Sequence, residues 1–260
     1  MKRVKPKKFL GQHFLKDFEI SKKIVENLNY KKINAFIEIG PGMGVLTQHL
    51  LKKNIDGFYI EIDNESFKYL KKLYPTLGEK LILADFLKIN LEDFNGPLGI
   101  IGNFPYNISS QIIFKVIENR KLVDQLVGMF QLEVAERICS KPGNKTYGII
   151  SVITQAFYNA ELLLKLNPVF FSPPPKVNSA VIKLTSKKVT SLNCNEKLFL
   201  SIVKTSFQQR RKTLKNSLKV FNLTNNIKEH VIFEKRPETL NVEDFVLLTN
   251  IIADDTIPAN

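Results

Sequence analysis

Ala35-Phe36-Ile37-Glu38-Ile39-Gly40-Pro41-Gly42-Met43-Gly44 is an apolar, strand-forming run that ends directly in alternating glycines, and a helical pattern follows over 45–53. Glycine at such a junction lets the backbone turn sharply and approach a ligand closely, with a helix N-terminus behind it. Taken alone, the same loop also fits a plain strand-to-helix turn. Further runs rich in β-branched residues lie at 58–62, 81–84, 98–101 and 125–131, with helical patterns at 64–73 and 109–118. This β-α-β-α alternation predicts an α/β fold with a Rossmann-like parallel sheet and helices on both faces. A later alternating pair, 160–166 and 178–184, flanks a Pro-rich loop and reads as a closing, hairpin-like element. Residues 90–99, punctuated by Asn95-Gly96-Pro97, read as loop.

Two acids extend the glycine loop into a constellation. Glu61 stands at the end of the second strand, where a carboxylate accepts hydrogen bonds from ribose hydroxyls, and Asp85 ends the third strand in Leu83-Ala84-Asp85-Phe86, placed to accept from an adenine amino group. An acid at a strand end is often only a cap. Three such features in register at strand carboxyl ends, Gly40 and Gly42 included, favour a nucleoside site. The loop is GxGxG rather than GxGxxG, and GxxxxGK[ST] is absent, so the fingerprints for pyrophosphate and for a P-loop are not met. S-adenosylmethionine has no phosphate and suits a glycine loop followed by two acids. It is the expected cofactor, and the expected fold is the class I methyltransferase sheet.

The fourth strand ends in Asn103-Phe104-Pro105-Tyr106. The exocyclic N6 of adenine is a poor nucleophile because its lone pair is delocalised into the ring. The side-chain oxygen of Asn103 and a backbone carbonyl, that of Pro105 or its neighbour, can accept from both N–H groups and hold the nitrogen in line with an electrophilic methyl. Pro105 fixes the local backbone, and Tyr106 offers a ring on which a flipped base can stack.

Past about Lys187 the strand signals stop, and short helices are predicted at 196–207, 211–219 and 242–252. The polar stretch 185–195 marks a boundary between a catalytic domain, 1–187, and a small all-helical C-terminal domain, 188–260. With 38 Lys+Arg against 25 Asp+Glu the net charge is +13, which favours a polyanionic partner. One basic cluster is N-terminal (Lys2, Arg3, Lys5, Lys7, Lys8), and the other is Arg210, Arg211, Lys212, Lys215 and Lys219. A solvated helix face is the usual meaning of such a run, but Arg210-Arg211-Lys212 has little opposing acid nearby and reads as an RNA contact. The two cysteines, Cys139 and Cys194, stand apart without CxxC, so neither a disulfide framework nor a metal site is expected. The basic N-terminus lacks the apolar core of a secretory signal, and no apolar run approaches the ~18 residues of a membrane span. A soluble cytoplasmic protein without membrane contact is expected.

These motifs together resemble the ribosomal small-subunit RNA adenine N6,N6-dimethyltransferases of the KsgA (RsmA) type. The resemblance is carried by Lys8-Phe9-Leu10-Gly11-Gln12-His13-Phe14-Leu15, the glycine loop, Glu61-Ile62-Asp63, Ala84-Asp85 and Asn103-Phe104-Pro105-Tyr106-Asn107-Ile108-Ser109-Ser110. It continues through Phe171-Ser172-Pro173-Pro174-Pro175-Lys176-Val177-Asn178-Ser179-Ala180-Val181 and Ser206-Phe207-Gln208-Gln209-Arg210-Arg211-Lys212-Thr213-Leu214. His13 stands where many relatives have Asn, and Phe104 where others have Leu or Ile. The resemblance implies a cofactor site of His13, Leu15, Gly40, Glu61, Asp85 and Asn103, and Phe171 as a second aromatic face opposite Tyr106, although a core aromatic beside Phe170 would read the same. It implies two adjacent adenosines near the 3′ end of small-subunit rRNA as substrate, each methylated twice during ribosome biogenesis. The substrate would be recognised within a ribosomal particle by an enzyme expected to be monomeric. Competing readings are the large-subunit adenine methyltransferase of the resistance type, a DNA adenine methyltransferase, and a non-catalytic assembly factor of the same fold. The Asn-Ile-Ser-Ser continuation favours the small-subunit type, and intact Asn103, Tyr106, Glu61 and Asp85 argue for retained chemistry.

Overall fold

The computed structural model describes residues 4–7 and 10–256. Lys2, Arg3, Lys8 and Phe9 lie outside the described residues. A short strand β1 (Phe14–Leu15) precedes α1 (Phe18–Glu26), whose N-terminus is capped by Asp17 accepting from the Ile20 N–H at 2.8 Å. The chain continues through β2 (Ala35–Ile39), α2 (Thr47–Leu50), β3 (Asp56–Glu61), α3 (Asn64–Leu73), β4 (Leu81–Leu83), β5 (Leu98–Asn103), α4 (Ser109–Glu118) and β6 (Val123–Gln131). Then come α5 (Leu132–Cys139), α6 (Ile149–Phe157), β7 (Tyr158–Leu166), β8 (Phe171–Ser172) and β9 (Ser179–Ser186), followed by α7 (Glu196–Gln208), α8 (Leu214–Ser217), α9 (Asn225–Lys228) and α10 (Val242–Thr256).

The main sheet has the order β4-β3-β2-β5-β6-β9-β7. The pairs β3–β4, β2–β3, β2–β5 and β5–β6 are parallel, and β9 runs antiparallel to β6. Every residue of β2 and nearly every residue of β5 and β6 is buried. Because neighbouring side chains on a strand point to opposite faces, the sheet is covered on both sides, as an apolar run without alternation requires. The expected closing pair is present as β9 and β7 at the sheet's end. A separate two-stranded ribbon joins β1 to β8, with Phe14 opposite Ser172 and Leu15 opposite Phe171.

The chain divides into two compact units, one of Met1–Ala135 with Asn159–Lys188, the other of Glu136–Tyr158 with Val189–Asn260. The break at Lys188 falls beside the expected boundary, but a single cut does not describe the chain: α6 packs on α7 and α10 in the second unit. Its buried Val152, Ile153, Ala156 and Phe157 form an apolar face that needs helical partners. In that unit Phe207 lies edge-on to Tyr147 and 6.0 Å from Phe245 between ring centres. The helix expected over 211–219 is broken. Residues 209–213 form a turn, and only α8 and a 3-10 turn at Lys219–Phe221 follow.

Candidate active site

The chain leaves β2 to one side for β3 and β4, and later returns on the other side with β5. Strand order reverses there, and a crevice opens beyond the strand carboxyl ends. The space in the crevice amounts to about 670 Å³, open solvent at its mouth included. Gly40, Gly42, Glu61, Asp85, Asn103, Pro105 and Tyr106 all line it, together with His13 from the segment before β1. Gly42 has φ +58°, and a Cβ there would come within 2.8 Å of the Phe14 ring. A Cβ at Gly40 would meet nothing within 4 Å, so backbone is presented to empty space on the ligand side.

Glu61 is 2% exposed; its Oε2 accepts from the Gly42 N–H and its Oε1 from the Asp63 N–H, both at 2.9 Å. Burial pushes its pKa up, opposed by these main-chain donors. Asp85 caps the 3-10 turn Phe86–Lys88 by accepting from the Leu87 N–H through Oδ1 at 2.9 Å, and its Oδ2 has no partner among the described residues. The acid therefore caps a turn and keeps one oxygen for a ligand. Among the described residues no Lys or Arg stands in the wall, whereas two carboxylates do, a set that suits a cationic ligand better than a phosphate. A phosphate-free, positively charged nucleoside such as S-adenosylmethionine fits that donor set.

The Asn103 amide donates through Nδ2 to the His13 carbonyl at 2.7 Å. A carbonyl only accepts, so the amide nitrogen must face it and Oδ1 is left for another donor. The Pro105 carbonyl already accepts from the Ile108 N–H at 3.2 Å, whereas the Phe104 carbonyl has no partner among the described residues. The Phe104 ring is buried and meets Phe130 edge-on at 5.2 Å. It fills space that glycine leaves on two strands: a Cβ at Gly128 would stand 2.0 Å from the ring and one at Gly102 2.7 Å. Tyr106 bonds Ser179 through its hydroxyl at 2.5 Å, and burial raises its pKa, so it is a neutral phenol. Its ring stacks on His13, with centres 5.4 Å apart, and His13 Nδ1 donates to the Pro173 carbonyl at 2.8 Å.

Residues 3–254 match the family model of ribosomal RNA adenine dimethylases. The ribosomal RNA small subunit methyltransferase A of Flavobacterium johnsoniae is 55% identical over 99% of each chain, and that of Bacteroides thetaiotaomicron 50% over 98% of this chain and 96% of its own. This chain belongs to the ribosomal RNA adenine dimethylase family. A dimethyladenosine transferase from Plasmodium falciparum superposes with a TM-score of 0.80 at 30% identity, covering 94% of this chain and 99% of its own. The 23S rRNA methyltransferase ErmE, at 0.71 and 23% identity over 91% and 99%, shares the fold.

Two residues that the family resemblance placed in the site stand elsewhere. Leu15 and Phe171 are cross-strand partners in the β1–β8 ribbon, 4% and 1% exposed, and both side chains join the core cluster with Ile24, Phe36 and Val127. Neither lines the crevice. Phe171 takes the core reading because the ribbon turns its ring inward, whereas Tyr106 lines the crevice. Sequence reasoning missed Phe86 and Ile108 in the wall and Ser179 as the partner of Tyr106. Phe86 follows Asp85 directly, so the signal was at hand.

The basic stretch is not uniformly free, although its sequence suggests that it is. Arg210 is engaged inside its own unit: Nε pairs with Glu238 at 2.6 Å, and the other guanidinium nitrogens donate to the Asn144 and Lys145 carbonyls. Its fork is spent on protein acceptors, so it is not free for phosphate. Arg211 and Lys212 are exposed, and Lys212 lines a polar groove with Gln208, Asn216 and Lys219. At the other cluster, Lys7 pairs with the buried carboxylate of Asp63, the N-cap of α3.

Proposed function

We infer that this chain methylates N6 of two adjacent adenosines near the 3′ end of small-subunit ribosomal RNA, giving N6,N6-dimethyladenosine. The observation that carries the reading is Asn103, whose amide is oriented by the His13 carbonyl so that Oδ1 faces away from it, beside a Phe104 carbonyl with no partner among the described residues. Glu61 and Asp85, with the Gly40 backbone, would hold S-adenosylmethionine, which when bound supplies a methyl on a sulfonium, an electrophile that needs no prior activation. Asn103 Oδ1 and the Phe104 carbonyl accept from the two N6–H groups, which draws the lone pair out of the ring and fixes its direction. Neither group acts as a base near neutral pH, so their contribution is orientation, and the N6 proton leaves to solvent after transfer. Tyr106 supplies a ring for the extruded base, its hydroxyl held by Ser179.

Arg211, Lys212 and Lys219 serve phosphate contact in the second unit. The described wall residues of the crevice all belong to the first compact unit, and we read the enzyme as a monomer. Among the described residues no helix is long and apolar enough to cross a membrane. We place the protein in the cytoplasm, acting on a ribosomal particle. The test is transfer of labelled methyl groups to small subunits that lack the modification, followed by nucleoside analysis. Label in N6,N6-dimethyladenosine is the expected result; label only in large-subunit RNA, or none with cofactor binding retained, would refute it.

A further inference from the structure

Lys115 lies on α4, the helix that continues the Asn103–Tyr106 loop, among the buried Ile112, Ile113, Val116 and Ile117. A lysine on an amphipathic helix ordinarily runs its stem along apolar surface and leaves its ammonium in water. Here the half-buried ammonium ends on protein: Nζ donates to the Leu87 carbonyl at 2.9 Å and to the Ile89 carbonyl at 2.5 Å. It also lies 5.4 Å from the centre of the Phe86 ring, over its face. All three acceptors belong to the turn that follows Asp85. Asp85 caps the amino end of that turn through Oδ1, and Lys115 caps its carbonyl end, where a cation is favoured by the exposed carbonyl dipoles. Burial lowers the lysine's pKa, and attraction to Glu118 and Asp85 opposes that in part.

We propose that Lys115 is a positioning residue for the adenine end of the cofactor: it braces the Phe86–Lys88 turn from the helix behind the target-base loop and so fixes where Asp85 Oδ2 and the Phe86 ring stand in the crevice. The proposal rests on the reading of that crevice as the S-adenosylmethionine site. Without Lys115 two half-buried carbonyls lose a charged donor, and the turn is held at one end only. Asp85 then spends part of its orientation on every binding event, which weakens affinity without touching the groups at N6.

The experiment measures S-adenosylhomocysteine binding by titration calorimetry, alongside steady-state kinetics on small subunits. Lys115→Met keeps the stem and removes the donors; its affinity is expected to fall about tenfold, in line with the loss of hydrogen bonds from a charged donor. The KM for S-adenosylmethionine rises by the same factor, with kcat within about twofold of wild type. Lys115→Arg, which keeps donors, recovers most of the affinity, and Lys115→Gln falls between, so the ranking can be read even if the Met variant folds poorly. Asp85→Asn is the control. If it loses affinity while the Lys115 series binds like wild type, this proposal is overturned and the site stands. If Asp85→Asn binds like wild type, the site reading itself is overturned and the proposal with it. A Lys115 series that loses kcat at constant KM also overturns it.

Discussion

Glu61 and Arg210 are both charged groups whose hydrogen bonds are made inside the protein, and they serve opposite ends. Glu61 uses the Gly42 and Asp63 N–H groups to hold the glycine loop and still faces the crevice. Arg210 uses Glu238 and two carbonyls to tie its turn to distant segments of its own unit, and is thereby withdrawn from any outside partner. What separates them is topology. A residue at the carboxyl end of a parallel strand beside the switch point is delivered to the crevice whatever else it bonds. A residue in a basic run has no such guarantee, and its role depends on which acceptors the rest of the chain brings near.

That contrast can be broken, or sharpened, by substitution. The largest effect belongs to Asn103→Ala: kcat should fall by about three orders of magnitude, as for the loss of a preorganised polar contact, while calorimetric affinity for S-adenosylhomocysteine stays within about threefold. Substantial turnover in this variant would remove strand-end delivery as the basis of the chemistry. Next is Gly128→Ala, which drives a methyl into the Phe104 ring; a loss of about 3 kcal/mol in chemical denaturation is expected. Phe104→Leu in the same molecule should restore much of it, and strictly additive losses would show that the ring is not held by that glycine.

Arg210→Ala should lower stability by about 2 kcal/mol, whereas Arg211→Ala and Lys212→Ala should change it by less than about 0.5 kcal/mol and instead weaken RNA binding with a shallower salt dependence. The reverse pattern would return Arg210 to the surface role that its sequence suggests. The smallest effect is that of pH. Burial holds the Glu61 pKa above the ordinary carboxylate value, and the ionised form is the one that accepts from ribose hydroxyls. Protons therefore compete with the cofactor at higher pH than they would for an exposed acid. Affinity should decline on acidification from above the ordinary carboxylate range, and Glu61→Gln, already weakened, should show a shallower decline. A flat wild-type profile would sever the link between burial and binding.

Much of the first unit was legible because period and punctuation report on local geometry. The apolar runs became β2 to β6, and Gly40, Glu61, Asp85 and Asn103 sit where strand ends put them. The sequence does not say which way a side chain turns on a two-residue strand, so Phe171 read equally as base platform and as core. It does not say which acceptors a guanidinium will meet, so Arg210 read as free. The membership of α6 in the second unit depends on partners far along the chain, and the fit of Phe104 against Gly128 depends on strand register. Both are long-range facts that no window of neighbouring residues contains.

The bond from His13 to the Pro173 carbonyl joins residues 160 positions apart, and that from Tyr106 to Ser179 spans 73. During synthesis the glycine loop, both acids and Asn103 emerge long before the strand that steadies the base platform. A nascent chain stopped short of residue 170 would own every cofactor ligand named here and yet lack the partners of His13 and Tyr106. The groups that would hold the cofactor and the partners that steady His13 and Tyr106 thus come from separate stretches of the chain, the second from β9 and the segment just before it.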